Sequence, residues 1–142
     1  MIVLDTNVVS ELARPTPNPT VVAWVDAQDE LTIAAPALAE LRFGVARLPE
    51  GKRRTALGEA IDQLVADDLG GLVLAFDTEC ADAYGLIVAA RERAGHRIGV
   101  ADAQIAAICA VHSAVLTTRN VKEFLNTGIE IVDPWDPPDL DD

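Results

Sequence analysis

With 142 residues, half of them hydrophobic and about a quarter charged, the chain has the size and composition of one globular domain, which excludes a disordered or fibrous protein. Its formal net charge of −12 excludes simple electrostatic attraction as the way it would bind a nucleic acid. No apolar stretch is long enough to span a bilayer and no signal-peptide pattern begins the sequence, so we expect a cytoplasmic protein without a membrane segment.

The first half of the chain is predicted to alternate short strands with helices. Prolines in the stretch RPTPNP separate the first two helices, and Thr20 is available to cap the second. Pro36 suits the first turn of the third helix, and Gly70 and Gly71 end the fourth. The predicted elements are a strand over 2–5, helices over 6–13 and 19–28, a strand over 31–34, and helices over 36–48 and 52–68.

The second half continues the same alternation. Its helix over 100–113 is apolar nearly all round and should be deeply buried. Cys109 in this helix and Cys80 in the preceding one have no neighbouring His or Cys at ligand spacing, so we predict reduced core thiols. The predicted elements are a strand over 72–77, helices over 78–95 and 100–113, a strand over 114–118, a short helix over 119–126 and a strand over 129–134.

Short apolar strands that alternate with helices are typical of a parallel sheet covered by helices on both faces. We therefore predict an α/β fold in which residues 1–134 form one domain around a parallel sheet of about five strands. The acidic, proline-rich tail over 135–142 should be loose or peripheral. In such a domain the carboxyl ends of the strands and the starts of the following helices share one edge of the sheet, where sites gather.

Two aspartates have positions that suit this edge. Asp5 follows the first strand, where it could bind a ligand or, like Thr6 and Asn7 beside it, cap the next helix. Asp102 begins an otherwise apolar helix face, and a carboxylate buried there needs a partner. That partner could be the free amides of the helix start or a cation.

Other polar residues near the predicted edge have simple structural explanations as well. Glu40 lies off the apolar face of its helix, as a surface glutamate would. Asn120 and Glu123 follow the fourth strand, where they could be a helix cap and a surface charge. Thr117 and Thr118, at the end of that strand, could cap the short helix or orient a neighbouring carboxylate.

Four segments of the chain stand out when they are taken together: IVLDTNVVSEL, PALAELRFGV, IGVADAQIAAICAVHSAVLTTRNVKEF and IEIVDPW. In this order and spacing, over nearly the whole chain, they resemble a PIN domain of the VapC toxin type. The resemblance implies a Mg²⁺- or Mn²⁺-dependent endoribonuclease, the toxin of a type II toxin–antitoxin pair. Clustered carboxylates suit this chemistry because they hold hard divalent cations, which activate water and neutralise charge on the phosphate.

The resemblance also implies the residues of the site. Asn120 falls on the family's fourth acidic position, and Glu123 stands where an aspartate often precedes Phe124. The implied catalytic residues are Asp5, Glu40, Asp102 and Asn120, the first three of them as metal ligands, supported by Thr6, Asn7, Thr118 and Glu123.

The same resemblance implies partners: a VapB-type antitoxin that occupies the metal site, an RNA substrate, and a second copy of the chain. For the homodimer, the helix surface around Val22 and Trp24 is a plausible contact. Two basic clusters, over 42–54 and 91–97, either line the RNA path or are solvated helix faces. Arg42, Arg53 and Arg54 are our candidates for the RNA path.

Rival interpretations use the same fold class. A haloacid-dehalogenase-type phosphohydrolase also has an aspartate after its first strand, but it needs a second acid where this chain has Asn7. A response-regulator receiver would need a pair of acids early in the sequence, and this chain does not have that pair. A Ser–His or Cys–His triad is not supported, because His96 and His112 lie apart from any marked nucleophile. A non-catalytic module that keeps a metal-site fold and binds a partner is the alternative from another class.

Overall fold

Five short parallel strands form the centre of the structure, a computed structural model that describes residues 1–139. The predicted single α/β domain with a five-stranded parallel sheet is confirmed. The sheet order is β3-β2-β1-β4-β5, so the amino-terminal strand lies in the middle. The strands are β1 (Ile2–Leu4), β2 (Leu31–Ala34), β3 (Val73–Leu74), β4 (Val115–Thr117) and β5 (Glu130–Val132).

Six α-helices connect the strands. They are α1 (Thr6–Leu12), α2 (Pro19–Asp26), α3 (Ala35–Ala46), α4 (Lys52–Gln63), α5 (Thr78–Arg93) and α6 (Val100–His112). The chain builds outward from β1 through β2 to β3, then returns across the sheet to β4 on the other side of β1. Right-handed crossovers in opposite directions place the two sets of helices on opposite faces. The direction of winding therefore reverses between β1 and β4, the place where α/β sheets bind ligands.

The core lies on both sides of the central strands. Val3, Ile33 and Leu116, from β1, β2 and β4, are completely buried. Helix α6 is buried along most of its length, as its apolar sequence predicted. Cys80 and Cys109 are both buried and unpaired, which confirms the prediction of reduced core thiols.

Most predicted elements differ from the structure by one or two residues at an end, and three differ more in length or helix type. Strand β3 has two residues rather than six, because its partner β2 pairs Ala34 with Leu74 and then turns directly into α3. The predicted helix over 52–68 is α-helical only to Gln63 and ends in a wider π-helical turn, Leu64–Asp68. The predicted helix over 119–126 is a single 3₁₀ turn, Val121–Phe124.

One sequence prediction about local packing was wrong. The side chain of Asn18, not Thr20, caps α2, since its Oδ1 accepts hydrogen bonds from the amides of Thr20 (2.9 Å) and Val21 (3.4 Å). In the tail, Trp135 packs against the core, and the centroid of its ring lies 4.8 Å from the Arg119 guanidinium. Residues 140–142 of the tail lie outside the described residues.

Within residues 1–139, no helix combines the length and the apolar composition that crossing a membrane requires.

Candidate metal site at the edge of the sheet

Asp5 lies where β1 ends and α1 begins, and its side chain is almost completely buried. Its amide donates to the Thr117 carbonyl of β4 (2.9 Å), which fixes it at the point where the sheet winding reverses. One carboxylate oxygen, Oδ1, accepts from the Thr6 amide (2.8 Å), so Asp5 does cap α1. The other, Oδ2, accepts from the Thr118 hydroxyl (2.8 Å) and from Asn7 Nδ2 (3.2 Å). Asp5 is therefore a buried carboxylate held by neutral donors.

The Thr118 hydroxyl is the centre of the network around Asp5. While it donates to Asp5, it accepts from Asn7 Nδ2 (3.1 Å) and from the Asn120 amide (3.1 Å). Asn7 also accepts from the Arg119 amide through Oδ1 (3.0 Å). These bonds join the start of α1 to the segment after β4. Thr117, by contrast, is buried with no hydrogen-bond partner for its hydroxyl among the described residues.

Glu40 lies on the exposed side of α3, as its position off the apolar face predicted. The Glu40 carboxylate is oriented by a hydrogen bond, which its Oε2 accepts from the Thr6 hydroxyl (3.0 Å). Thr6 is also the residue whose amide is bound by Asp5. The two acids are therefore linked through one threonine.

Asp102 lies in the first turn of α6 and is partly buried. It is not the cap of that helix, since Gly99 holds the cap position without a side-chain bond. Burial, with the negative charges of Asp5, Glu40 and Glu123, raises the pKa of the Asp102 carboxyl to about 6, and the positive charge of Arg91 opposes that rise. The Asp5 charge also acts on the core residue Cys109, where burial and this charge raise the pKa of the thiol to about 12.

The structure thus places three predicted acids, Asp5, Glu40 and Glu123, where their charges act on the fourth, Asp102. Glu123 is exposed on the 3₁₀ turn and acts on Asp102 through its charge. Asn120 is exposed, and its described contact to the site is the backbone bond to Thr118.

The side chains at this edge fit a hard divalent cation by their chemistry. They offer carboxylate oxygens, and the like charges around Asp102 would be relieved by a positive ion. Within residues 1–139, no three His, Cys, Asp or Glu side chains converge closely enough to form a complete ligand set.

The three arginines predicted for an RNA path lie in different surroundings. Arg42 pairs with Asp62 of α4 (2.6 Å). Arg54 borders a shallow depression that also contains Glu59 and Asp62. Arg53 lines a groove of about 310 Å³ between α1, α3 and α4, and Glu40 lies in the same groove. Of these three, only Arg53 shares a groove with a predicted metal ligand.

Two further arginines acquire importance only in the structure. Arg47 lines the groove of Arg53 and Glu40, with its guanidinium 5.8 Å from the ring centroid of the exposed Phe43. For the basic cluster that contains Arg91, the sequence predicted either a substrate path or a solvated helix face. Arg91 lies in neither. It is buried. Helical spacing gives one sign of this burial, because Arg91 follows Cys80 and Ile87 on the buried face of α5 and Arg93 does not.

Comparison with known proteins decides the family. The family model described as the PIN domain matches residues 2–129. This chain belongs to the PIN domain family. Among PIN-domain relatives, VapC ribonuclease Y4jK of Sinorhizobium fredii is 42% identical over 139 residues, covering 96% of this chain and 99% of that protein. Toxin FitB of Neisseria gonorrhoeae is 39% identical over 137 residues, covering 95% and 99%.

Solved PIN-domain structures agree with the fold. In a structure described as FitAB bound to an IR36 DNA fragment, one chain superimposes with a TM-score of 0.89 at 37% identity, covering 99% of both chains. The family match leaves the haloacid-dehalogenase and receiver alternatives without support. Asn7, where the dehalogenase chemistry needs an acid, is instead a hydrogen-bond donor to Asp5.

Proposed function

We propose that this protein is the toxin of a type II toxin–antitoxin pair and a Mg²⁺- or Mn²⁺-dependent endoribonuclease that acts in the cytoplasm. The observation that carries the proposal is the group of acids at the β1–β4 edge, where Asp102 is held close to the charges of Asp5, Glu40 and Glu123. The support from outside the structure is the identity to proteins named as a VapC ribonuclease and as Toxin FitB.

In this proposal Asp5, Glu40 and Asp102 hold the cation. When bound, it would supply positive charge to the scissile phosphate and lower the pKa of an attacking water. Thr118 and Asn7 fix the Asp5 carboxylate, which leaves it little freedom to turn away from the edge. Thr6 does the same for Glu40. These hydrogen bonds orient Asp5 and Glu40, two of the three proposed ligands, before substrate arrives.

The substrate in this proposal is single-stranded or looped RNA, whose backbone and bases are accessible to an open groove. The groove that contains Glu40 also contains Arg47 and Arg53, which could contact phosphates next to the cleaved bond. The exposed Phe43 lies one helical turn from Arg47 and offers a surface on which a base could stack. We therefore assign the RNA path to Arg47 and Arg53, and not to Arg42, which is paired with Asp62.

The proposed partner is a VapB-type antitoxin with a basic segment. An arginine of that segment would bind the carboxylates of the site in place of the cation. We also propose a homodimer. Val22 and Trp24, the residues predicted for its contact, are half-buried beside grooves of α2 and not fully exposed. Light scattering of the purified chain tests the dimer, and a monomer near 15.1 kDa at tens of micromolar, a range in which ordinary dimers persist, would contradict it.

The nuclease proposal is tested by incubating the protein with unstructured RNA and Mn²⁺ while Mn²⁺ binding is followed by calorimetry. Asp5→Asn and Asp102→Asn should each abolish cleavage in a protein that remains folded. Asp26→Asn, an exposed carboxylate on α2, is the matched control and should cleave normally.

Three results would argue against the nuclease. If the wild type gives no heat with Mn²⁺ and cuts no RNA, the non-catalytic binding module is favoured. If Asp5→Asn unfolds, the Asp5 carboxylate is required for folding, through the hydrogen bonds that its Oδ2 accepts from Asn7 and Thr118. If Asp102→Asn is folded and still active, Asp102 is not a ligand.

A further inference from the structure

Arg91 is a buried cation with an unusual set of partners. Only 4% of its surface is exposed. Its guanidinium donates to three backbone carbonyls: from Nε to His96 (3.0 Å), from one terminal nitrogen to Arg97 (3.1 Å), and from the other to Leu125. Within residues 1–139 it forms no ion pair with a carboxylate. Burying a charge is costly, so all three bonds are needed to hold it.

The carbonyls bound by Arg91 belong to two segments that flank the acids of the site. His96 and Arg97 lie in the turn from α5 to α6, and Asp102 follows five residues later. Leu125 comes directly after the 3₁₀ turn that carries Glu123. One side chain therefore links the segment leading to Asp102 with the segment leading from Glu123.

The turn after α5 is also held by the backbone of Arg91. Gly95 adopts a left-handed conformation (φ +79°) that ends the helix, and the His96 amide then donates to the Arg91 carbonyl (2.9 Å). Arg91 thus binds His96 through its backbone and its side chain at once. This double attachment fixes the direction in which the chain enters α6.

We propose that Arg91 is a positioning residue of the metal site, which holds the first turn of α6 and the 3₁₀ turn in the relation that keeps Asp102 close to Glu123 and Asp5. The proposal rests on the proposed metal-dependent function. A residue that merely filled space here could be apolar, which would avoid the cost of burying a charge. The specific contribution of arginine is a planar fork of donors that reaches carbonyls of two segments simultaneously.

The test compares Arg91→Met, Arg91→Lys and the control Arg93→Met. Arg93 is an exposed arginine two residues away on the same helix. Three quantities are measured for each folded variant: Mn²⁺ affinity by calorimetry, kcat and KM for RNA at saturating Mn²⁺, and the melting temperature. We expect Arg91→Met to lower Mn²⁺ affinity and kcat by about tenfold or more, as loss of a residue that orients metal ligands commonly does, with little change in KM.

Arg91→Lys keeps the charge but cannot reach all three carbonyls, so it should show a smaller loss of the same kind and serves if the Met variant does not fold. Arg93→Met should match the wild type in Mn²⁺ affinity and melting temperature. A lower melting temperature with unchanged Mn²⁺ affinity and kcat in Arg91→Lys or Arg91→Met would overturn the proposal and leave a structural role only. If the wild type binds Mn²⁺ but cuts no RNA, the nuclease proposal fails while Mn²⁺ affinity still tests Arg91.

Discussion

At Asp102, the clustering of acids in the site lowers the stability of the folded protein. Its carboxyl is partly buried and faces three other acids, and these effects raise its pKa from 3.8 to about 6. A folded state with a raised carboxyl pKa binds more protons than the unfolded state between these two values. The contribution of the Asp102 carboxyl to stability is therefore fully present below about pH 4, and it is lost as pH rises through about 6.

This decrease of stability with rising pH gives a prediction for the metal-free protein. The full shift corresponds to about 3 kcal/mol, but the side chain is only half-buried, and screening by solvent reduces the effect to about 1–2 kcal/mol. Asp102→Asn should abolish that part of the stability loss between pH 4 and pH 8. Urea unfolding of both proteins at the two pH values measures it.

Asp26→Asn, which changes an exposed carboxylate, should retain the wild-type pH dependence. Saturating Mn²⁺ should restore stability to the wild type at pH 8 but not to Asp102→Asn, because only the wild type keeps this ligand. Equal pH dependence in the wild type and Asp102→Asn would show that the neighbouring charges do not act on Asp102 as the structure indicates.

Asp5 shows why residue roles were only partly predictable. Its position after an apolar run indicated both a cap and a ligand, and the structure gives the two carboxylate oxygens separate tasks: Oδ1 caps α1 and Oδ2 binds Thr118 and Asn7. The position at the sheet edge followed from the alternation of strands and helices. The contact with Thr118 did not, since it joins residues 113 positions apart.

At the scale of elements, the identity of the residue that caps helix α2 can be tested. Asn18 caps it with two hydrogen bonds, while the Thr20 side chain is exposed within the first turn. Asn18→Ala should therefore lower the free energy of unfolding by about 1 kcal/mol. Thr20→Ala should change it by less than about 0.5 kcal/mol, as surface substitutions commonly do.

Thermal or urea unfolding of the two variants decides between the caps. A larger loss in Thr20→Ala than in Asn18→Ala would restore Thr20 as the cap. Neither residue lies in the acid cluster, so both variants should retain wild-type Mn²⁺ affinity.

The elements themselves were more predictable than their ends. Prolines, glycines and the change between helical and strand patterns placed every strand and helix in the right order. The length of β3 depended on where its partner β2 turns into α3, which no local pattern reveals. The burial of Arg91 likewise depended on carbonyls from the turn after α5 and from Leu125, and the latter lies 34 residues away.

At the scale of the whole molecule, the dominant property is a net charge of −12, to which four acids at one edge of the sheet contribute. A basic antitoxin segment should therefore associate quickly at low ionic strength, and raising the salt concentration should slow association by about tenfold or more. Mn²⁺ should compete with it. Binding kinetics with the product of the neighbouring reading frame, at several salt concentrations, measure both effects.

Glu40→Gln should weaken this association, whereas Glu59→Gln, an exposed acid on α4, is the control and should change it little. A partner that binds with no salt dependence and leaves Mn²⁺ binding unaffected would show that it does not use the acidic edge. If the chain alone is harmless to growth and the neighbour neither binds nor inhibits it, the toxin assignment is wrong although the fold is right.

The central position of β1 has a consequence for how the protein is made. Strand β1 pairs with β2 and also with β4, which is made much later than either. Asp5 likewise acquires its Thr118 donor only when that later segment has emerged. A nascent chain that lacks β4 therefore carries Asp5 and Glu40 but not the complete acid cluster, which forms only after the segment that follows β4 has been made.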